Sequence, residues 1–503
     1  MDHSLIFNVF PLQLKRPGGG HRIATVLREE GWDVEVVDWA AEWQLEELKE
    51  LVKSRVSSRT VFFGFSSFFA YWNPMLEEFT KWMKQTYPTI PIVLGGQSRP
   101  RQKSEFIDYY ITGYGENAIL ELIKHFKGTA TTPLALDLRF TDKKVIVANH
   151  SYVSYPMRKS IIRYELRDYI SSDEFLTVEY SRGCMFKCLY CNFPVLGVKG
   201  DYTRDADDYI EQLQETYDKW GVTKYIAADE TFNDRTDKII KFADATDKLS
   251  FKPFVSGFIR ADLLVSRKQD WEHLERLGFL GQYYGVESMH WPSAKSIGKG
   301  MHPEKLQIGL LEAKKYFKRN NGLYRGHISL IAGLPYETED TLEKTINWCE
   351  QNWQGEGMEI WPLEIPINDT YDVPSLLTTK WKEYGYRQKT KNTIMSSSNS
   401  MVDEESYIAH GICNLDWETD TLSFDQCKDL ADKFNKRLRD AGAGIGSLAI
   451  QEFSSILTLK ETLELEYNQN YKYKDKKISF YIKSASDNLK EKIKNYINRK
   501  LSL

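Results

Sequence analysis

The chain has 503 residues, 42% hydrophobic and 27% charged, with a formal net charge of −4, so it can bury more than one core and has no global pull towards nucleic acid or membrane. Six cysteines in so long a chain do not form a disulfide framework. The first residues place an acid before the apolar stretch and bases after it, opposite to a signal peptide, and the most apolar run, VFFGFSSFFAYW, is too short to span a bilayer. A reducing cytoplasm is the expected compartment.

In chain order, SLIFNVF, DVEVVDW, TVFFGFSS, IPIVLGG and IDYYITG are short β-rich runs that end at Gly, Pro or polar residues. Helical segments at 43–55 and 73–87 lie between them, the second with Met75, Phe79, Trp82 and Met83 at helical spacing. This alternation predicts a doubly wound, Rossmann-like parallel sheet over residues 1–128. Ligands of such sheets bind at the carboxyl ends of the strands, where Ser66, Ser67, Gly95, Gly96 and residues 113–116 fall. Residues 129–173 read as a connector, with TTPLALDLRFTDKKVIVAN as a hairpin around Thr141 and Asp142.

A second series follows over residues 174–370: TVEYS, KYIAADE, FVSGFIR, GQYYGVES, GHISLIAGLP and MEIWPLEIP, with helices between them. Six strands with five crossovers predict a partial (β/α)6 barrel with its site at the C-terminal strand ends. Residues 371–503 are expected to be a mainly helical accessory region that reads the substrate. Phe424, Leu430, Phe434 and Leu438 mark one amphipathic helix there. Its last part, 471–503, holds ten Lys or Arg against three Asp or Glu and reads as a solvated helix face rather than a nucleic-acid contact.

The first strand of the second series runs into SRGCMFKCLYCNFP, which carries Cys184, Cys188 and Cys191 as C-x3-C-x2-C. A structural zinc would need a fourth ligand, and the nearest candidates in sequence are His150, His273 and Cys349. A 4Fe–4S cluster explains the count better, because three thiolates leave one iron open to an outside ligand. Cys349 shares a face with Leu342, Ile346 and Trp353, and Cys427 lies near Phe424, Leu430 and Phe434; both are expected to be buried core thiols. Cys413 has no assigned role.

This spacing, with Tyr190 just before the last cysteine, resembles the signature of the radical S-adenosylmethionine superfamily. The resemblance implies that the open iron is chelated by the amino and carboxyl groups of S-adenosylmethionine. One electron then cleaves the sulfonium and releases a 5′-deoxyadenosyl radical. AADETF resembles the second-strand motif, which makes Asp229 or Glu230 the acceptor for the amino group. GFIRAD is similar to the third-strand segment with Arg260 facing the site, and GVES to the fourth-strand motif with Glu287 and Ser288 as contacts. GLPYET resembles the family's Gly-x-Pro-Gly-Glu-Thr turn, with Tyr336 in place of the usual glycine.

The order of a parallel sheet before the cysteine core resembles the members with an N-terminal cobalamin-binding domain. The resemblance implies cobalamin contacts from Ser66, Ser67, Gly95, Gly96, Gly115 and Glu116. The Asp-x-His-x-x-Gly element that supplies an axial histidine elsewhere is absent: around His21 the required positions hold Gly19 and Ala24. His21 is therefore expected to be solvent-facing or capping.

The domain is either a cobalamin holder or a degenerate sheet that covers the site. The resulting expectation is a cobalamin-dependent C-methyltransferase acting on a small molecule or peptide, with a reducing partner such as flavodoxin or ferredoxin. A radical enzyme that rearranges, cyclises or joins carbons without methylation is the alternative. A non-catalytic metal-binding sensor is the alternative of another class.

Overall fold

The structure is a computed structural model. It describes residues 1–9, 16–67, 74–96, 104–129, 144–148, 161–191, 203–319, 324–366, 375–395, 413–441 and 490–503.

The N-terminal apolar runs become β1 (His3–Val9), β2 (Asp33–Val37), β3 (Thr60–Ser67), β4 (Ile92–Gly96) and β5 (Tyr109–Gly113) of a parallel sheet. Alternation decides the two faces. Ile6, Val34, Val36, Phe62, Val93 and Ile111 pack on one side beneath helices Gly18–Glu29 and Glu116–Phe126. Leu5, Phe7, Phe63, Phe65 and Leu94 pack on the other, beneath helices Leu45–Arg55 and Pro74–Thr86. The strand order is β2-β1-β3-β4-β5-β6, so the winding reverses at β1.

The sixth strand, β6 (Lys144–Ala148), corrects the expected connector. KVIVA pairs parallel with β5 and extends the sheet past residue 128, where it covers an edge that would otherwise expose unpaired backbone groups. The other half of the expected hairpin lies outside the described residues.

The second sheet holds β7 (Phe175–Val178), β8 (Lys224–Ala227), β9 (Phe254–Ile259), β10 (Phe279–Glu287), β11 (Arg325–Ala332) and β12 (Gly357–Pro362) in sequential, parallel order. Crossover helices complete the partial (β/α)6 barrel, including Ala206–Trp220, Thr236–Thr246, Pro303–Lys318 and Glu339–Asn352. The last of these begins with a capping box closed by Thr338 and Thr341.

Residue 370 is not a packing boundary. Helix Phe424–Asp440 lies beside β12, and the Asn435 side chain both donates to Ile360 O and accepts from Ile360 N, each at 2.9 Å. Trp417, Phe424, Phe434 and Leu438 join the same core as the barrel strands. The C-terminal region also contains two antiparallel strands, β13 (Arg387–Met395) and β14 (Cys413–Glu418), beside its helices.

A helix over 490–501 returns to the first sheet and buries Ile493, Tyr496 and Ile497 in its core. Lys500, fully buried, donates to Glu35 Oε1 at 3.0 Å and to Val36 O at 2.8 Å. This part of the basic segment is therefore docked by specific pairing rather than fully solvated. Among the described residues no helix is long and apolar enough to cross a membrane.

Candidate functional site

The cysteine loop leaves β7 and is tied down before it reaches its first thiol. Asp229, just beyond β8, accepts from Tyr180 N at 2.9 Å and from Ser181 Oγ at 2.6 Å. Lys238 Nζ also donates to Ser181 Oγ, and the Tyr180 ring is wedged among Tyr209, Phe232 and Phe242. Gly183 turns the chain at φ 82°, a conformation that costs other residues, and Cys184 follows. Further on, Leu189 is pinned through Ile297 O and Leu377 N.

Cys184, Cys188 and Cys191 are half-buried thiols outside any disulfide. Cys184 Sγ lies 3.5 Å from Thr231 Oγ1, and burial pushes its thiol up. Cys188 Sγ accepts from Arg260 Nη1 at 3.5 Å, while the same guanidinium bonds Asp262 and Gly298 O and covers the Phe186 ring. Among the described residues no three His, Cys, Asp or Glu side chains could converge on a single ion. A cubane does not ask for that, since each of its thiolates takes a different iron. The donor set, three thiols outside any disulfide on one anchored loop, fits such a cluster.

The structure separates the two carboxylates that the sequence left equivalent. Asp229 is consumed in holding the loop, with burial raising its carboxyl to about 6. Glu230 Oε1 accepts from Tyr114 at 2.9 Å, but Oε2 is buried with no partner among the described residues. Burial pushes Glu230 up to about 7, and Asp229 and Glu179 add to this. A desolvated carboxylate with one unused oxygen is a ready acceptor for an ammonium group.

Tyr190, Glu287 and Lys299 form a second cluster. Tyr190 donates to Glu287 Oε1 at 2.6 Å, and Lys299 lies 3.3 Å from the same oxygen. Glu287 itself has φ 66°, rare for a residue with a side chain. Ser288, expected as a ligand contact, instead donates to Glu337 Oε1 at 2.6 Å. Glu337 Oε2 accepts from Gly333 N and Leu334 N, so these bonds tie the end of β10 to the turn after β11. Burial raises Glu337 to about 7.

In the first sheet, register places Ser66 beside Gly95 and Ser67 beside Gly96 at the carboxyl edge of β3 and β4. Among the described residues a Cβ added to Gly95 would meet nothing closer than 3.9 Å. Paired serines and glycines at this edge fit the approach of a bulky ligand to the backbone. Gly115 differs, since a Cβ there would press on Ile111 at 3.3 Å; close packing explains that glycine.

Two expectations for this domain are corrected. Glu116 is not a free contact, because its carboxylate is paired with Arg22 and with Arg182 of the cysteine loop. Burial alone would raise it, but Arg182 and Arg22 outweigh that and hold it at about 2. His21 is neither solvent-facing nor a cap. It is fully buried, with Nε2 at 3.1 Å from both Asp38 oxygens and Nδ1 at 3.6 Å from Asp168. Arg16 bridges Asp38 and Glu174 in the same network, and Asp38 N donates to Tyr496 Oη. Connector residues cover the helix start that PGGG had suggested was exposed.

The carboxyl edges of the two sheets therefore meet. Tyr114 after β5 reaches Glu230 after β8, Arg182 after β7 reaches Glu116, and Thr177 donates to Arg16 O. Sequence reasoning did not single out Tyr114 or Arg182, although the first lies in the strand-end segment 113–116 and the second in the cysteine motif. No local pattern marks a partner on the other sheet. Cys349 and Cys427 are fully buried, and the Cys413 side chain lies outside the described residues.

Residues 178–349 match the family model described as the radical SAM superfamily. An uncharacterized methyltransferase of Pyrococcus horikoshii is 23% identical over 220 residues, 42% of this chain and 45% of that protein. The anaerobic magnesium-protoporphyrin IX monomethyl ester cyclase of Synechocystis sp. is 24% identical over 247 residues, 45% of this chain and 48% of that protein. The chain thus spans about half the length of these curated relatives. Among solved structures, the cobalamin-dependent S-adenosylmethionine radical enzyme OxsB in its apo form superposes with a TM-score of 0.61 at 15% identity, covering 96% of this chain and 74% of that one. The radical S-adenosylmethionine methyltransferase TsrM from Kitasatospora setae, with cobalamin and a [4Fe-4S] cluster bound, gives 0.59 at 14% identity, covering 82% and 88%. At such identities the likeness is one of fold.

Proposed function

We propose that this chain, whose residues 178–349 are a radical S-adenosylmethionine domain, is an enzyme that methylates an unactivated carbon of a small molecule or peptide with cobalamin as second cofactor. The observation that carries this reading is the meeting of two sheet edges. One bears three thiols outside any disulfide beside a carboxylate with one oxygen that no described residue partners, and the other ends in paired serines and glycines. When bound, the cluster supplies the electron that splits the sulfonium of S-adenosylmethionine, and cobalamin carries the methyl group.

The chain's own residues do the holding. Cys184, Cys188 and Cys191 ligate the cluster, and Arg260 lies beside Cys188 to offset thiolate charge. Glu230 receives the ammonium of S-adenosylmethionine. Tyr190 and Lys299 hold Glu287 at the end of β10, where it can serve as a further polar contact. Ser66, Ser67, Gly95 and Gly96 form the floor for cobalamin, where glycine lets the cofactor approach the backbone. His21, committed to Asp38 and Asp168, gives no ligand to cobalt.

A second reading, ring closure without methylation, draws support from the cyclase relative, which is as similar as the methyltransferase. Mass spectrometry of products made with methyl-labelled S-adenosylmethionine tests the two. Label in the product together with 5′-deoxyadenosine supports C-methylation. 5′-Deoxyadenosine with an unlabelled product supports the second reading, and no cleavage in iron-loaded protein rejects both.

A further inference from the structure

Glu230 belongs to the second sheet, yet among the described residues the side chain that donates to its carboxylate comes from the first. Tyr114 follows β5, between Gly113 and Gly115, and donates to Glu230 Oε1 at 2.9 Å across 116 residues of sequence. The terminal torsion of a glutamate is broad and roughly two-fold, so an unanchored carboxylate would swing. The bond occupies one oxygen and thereby fixes where the buried, unpartnered Oε2 points.

Tyr114 is itself held. The Arg182 guanidinium lies 4.2 Å from its ring centroid, a cation–π contact. Arg182 in turn has a side chain only 8% exposed, is fixed by Glu116 and Glu179, and stands two residues before Cys184. A chain of contacts thus runs from the helix start of the first sheet through the cysteine loop to the carboxylate.

We infer that Tyr114 is a positioning residue by which the N-terminal domain sets the affinity of the second domain for S-adenosylmethionine, acting through Glu230. The inference rests on Glu230 being the carboxylate that receives the ammonium group. It makes the binding site a property of both domains. Tyr114 acts through the carboxylate that its hydroxyl orients.

The test compares wild type, Tyr114→Phe, Glu230→Ala and the double variant. Each is reconstituted with iron and sulfide and titrated with S-adenosylmethionine by equilibrium dialysis, with iron content and thermal midpoint recorded. Tyr114→Phe removes one oxygen and keeps the ring under Arg182. It should weaken binding about five- to twentyfold, in line with loss of one charge-assisted hydrogen bond, at unchanged iron content. Glu230→Ala should weaken it further, and the double variant should match Glu230→Ala, because a residue that acts through Glu230 has nothing left to act on.

Binding by Tyr114→Phe within twofold of wild type, alongside weak binding by Glu230→Ala, overturns the inference and leaves the Glu230 assignment standing. A Tyr114→Phe loss that persists undiminished in the Glu230→Ala background also overturns it. Normal binding by Glu230→Ala overturns the assignment and this inference together.

Discussion

The carboxyl edges of the two sheets treat their acids in opposite ways. At the first sheet, Asp38 and Glu116 are buried but saturated, by Arg16 and His21 in one case and by Arg22 and Arg182 in the other. Both are held well below the ordinary carboxylate range despite their burial. At the second sheet, Glu230 is partly buried, with one buried oxygen that no described residue partners, and burial raises it to about 7. Burial alone therefore does not mark a functional acid. What separates the two is whether the described residues supply a counter-charge.

The widest gap should come from the thiols. Replacing Cys184, Cys188 or Cys191 by Ala should abolish cluster uptake, the broad absorbance near roughly 400 nm and all cleavage of S-adenosylmethionine. Full iron content in the triple variant would reject the assignment. The first sheet carries no ligand of this kind, and His21→Ala should leave iron content unchanged.

Stability comes next. Asp38→Ala leaves Arg16 and His21 buried without their shared anion, and should cost about 3–5 kcal/mol in denaturant unfolding. Glu230→Ala removes a desolvated acid with only one bond from Tyr114, and should change stability by less than about 1 kcal/mol while S-adenosylmethionine affinity falls more than about tenfold. Equal stability losses would erase the distinction between the two edges.

The sign of the pH dependence sharpens it further. Glu116 has a depressed value, so its contribution is present above the ordinary carboxylate range and is lost as pH falls through about 2. Glu230 and Glu337 have raised values, so the fold holds their protons more tightly than the unfolded chain does. Their contribution is full below the ordinary value of 4.5 and is lost as pH rises through about 7. Glu230→Gln should therefore flatten the decline in urea midpoint between these limits in iron-free protein. Glu116→Gln should leave that decline in place.

The smallest effect concerns Tyr336, whose ring is exposed and whose backbone sits at φ 68° where a glycine would be unstrained. Tyr336→Gly should raise stability by about 0.5–1 kcal/mol, as a shift of thermal midpoint without change in iron content.

The strands were legible because their signal is local. Apolar runs such as TVFFGFSS and GHISLIAGLP carry their own period and end at turn residues, and both sheets followed from them. The three thiols and the Tyr336 substitution were legible for the same reason, as spacing within one short motif. What stayed hidden depends on partners far away. KVIVA had no local sign that it would pair with β5. His21 looked exposed after three glycines until the connector closed over it, and Glu116 looked available until Arg182 reached it from the other sheet. Asp229 and Glu230 are neighbours in one motif, and only the hydrogen bonds at Tyr180, Ser181 and Tyr114 tell them apart.

The helix over 490–501 has a consequence for how the protein is made. Tyr496 Oη accepts the Asp38 backbone N–H across 458 residues of sequence. A ribosome adding about 5–20 residues per second needs roughly 20 to 90 seconds to bridge that distance. Throughout that interval the surfaces of Trp39 and Trp43 that meet the Tyr496 ring lack this cover, and Glu35 lacks Lys500. The first sheet thus waits on the ribosome for this cover, with an apolar face open to chaperones.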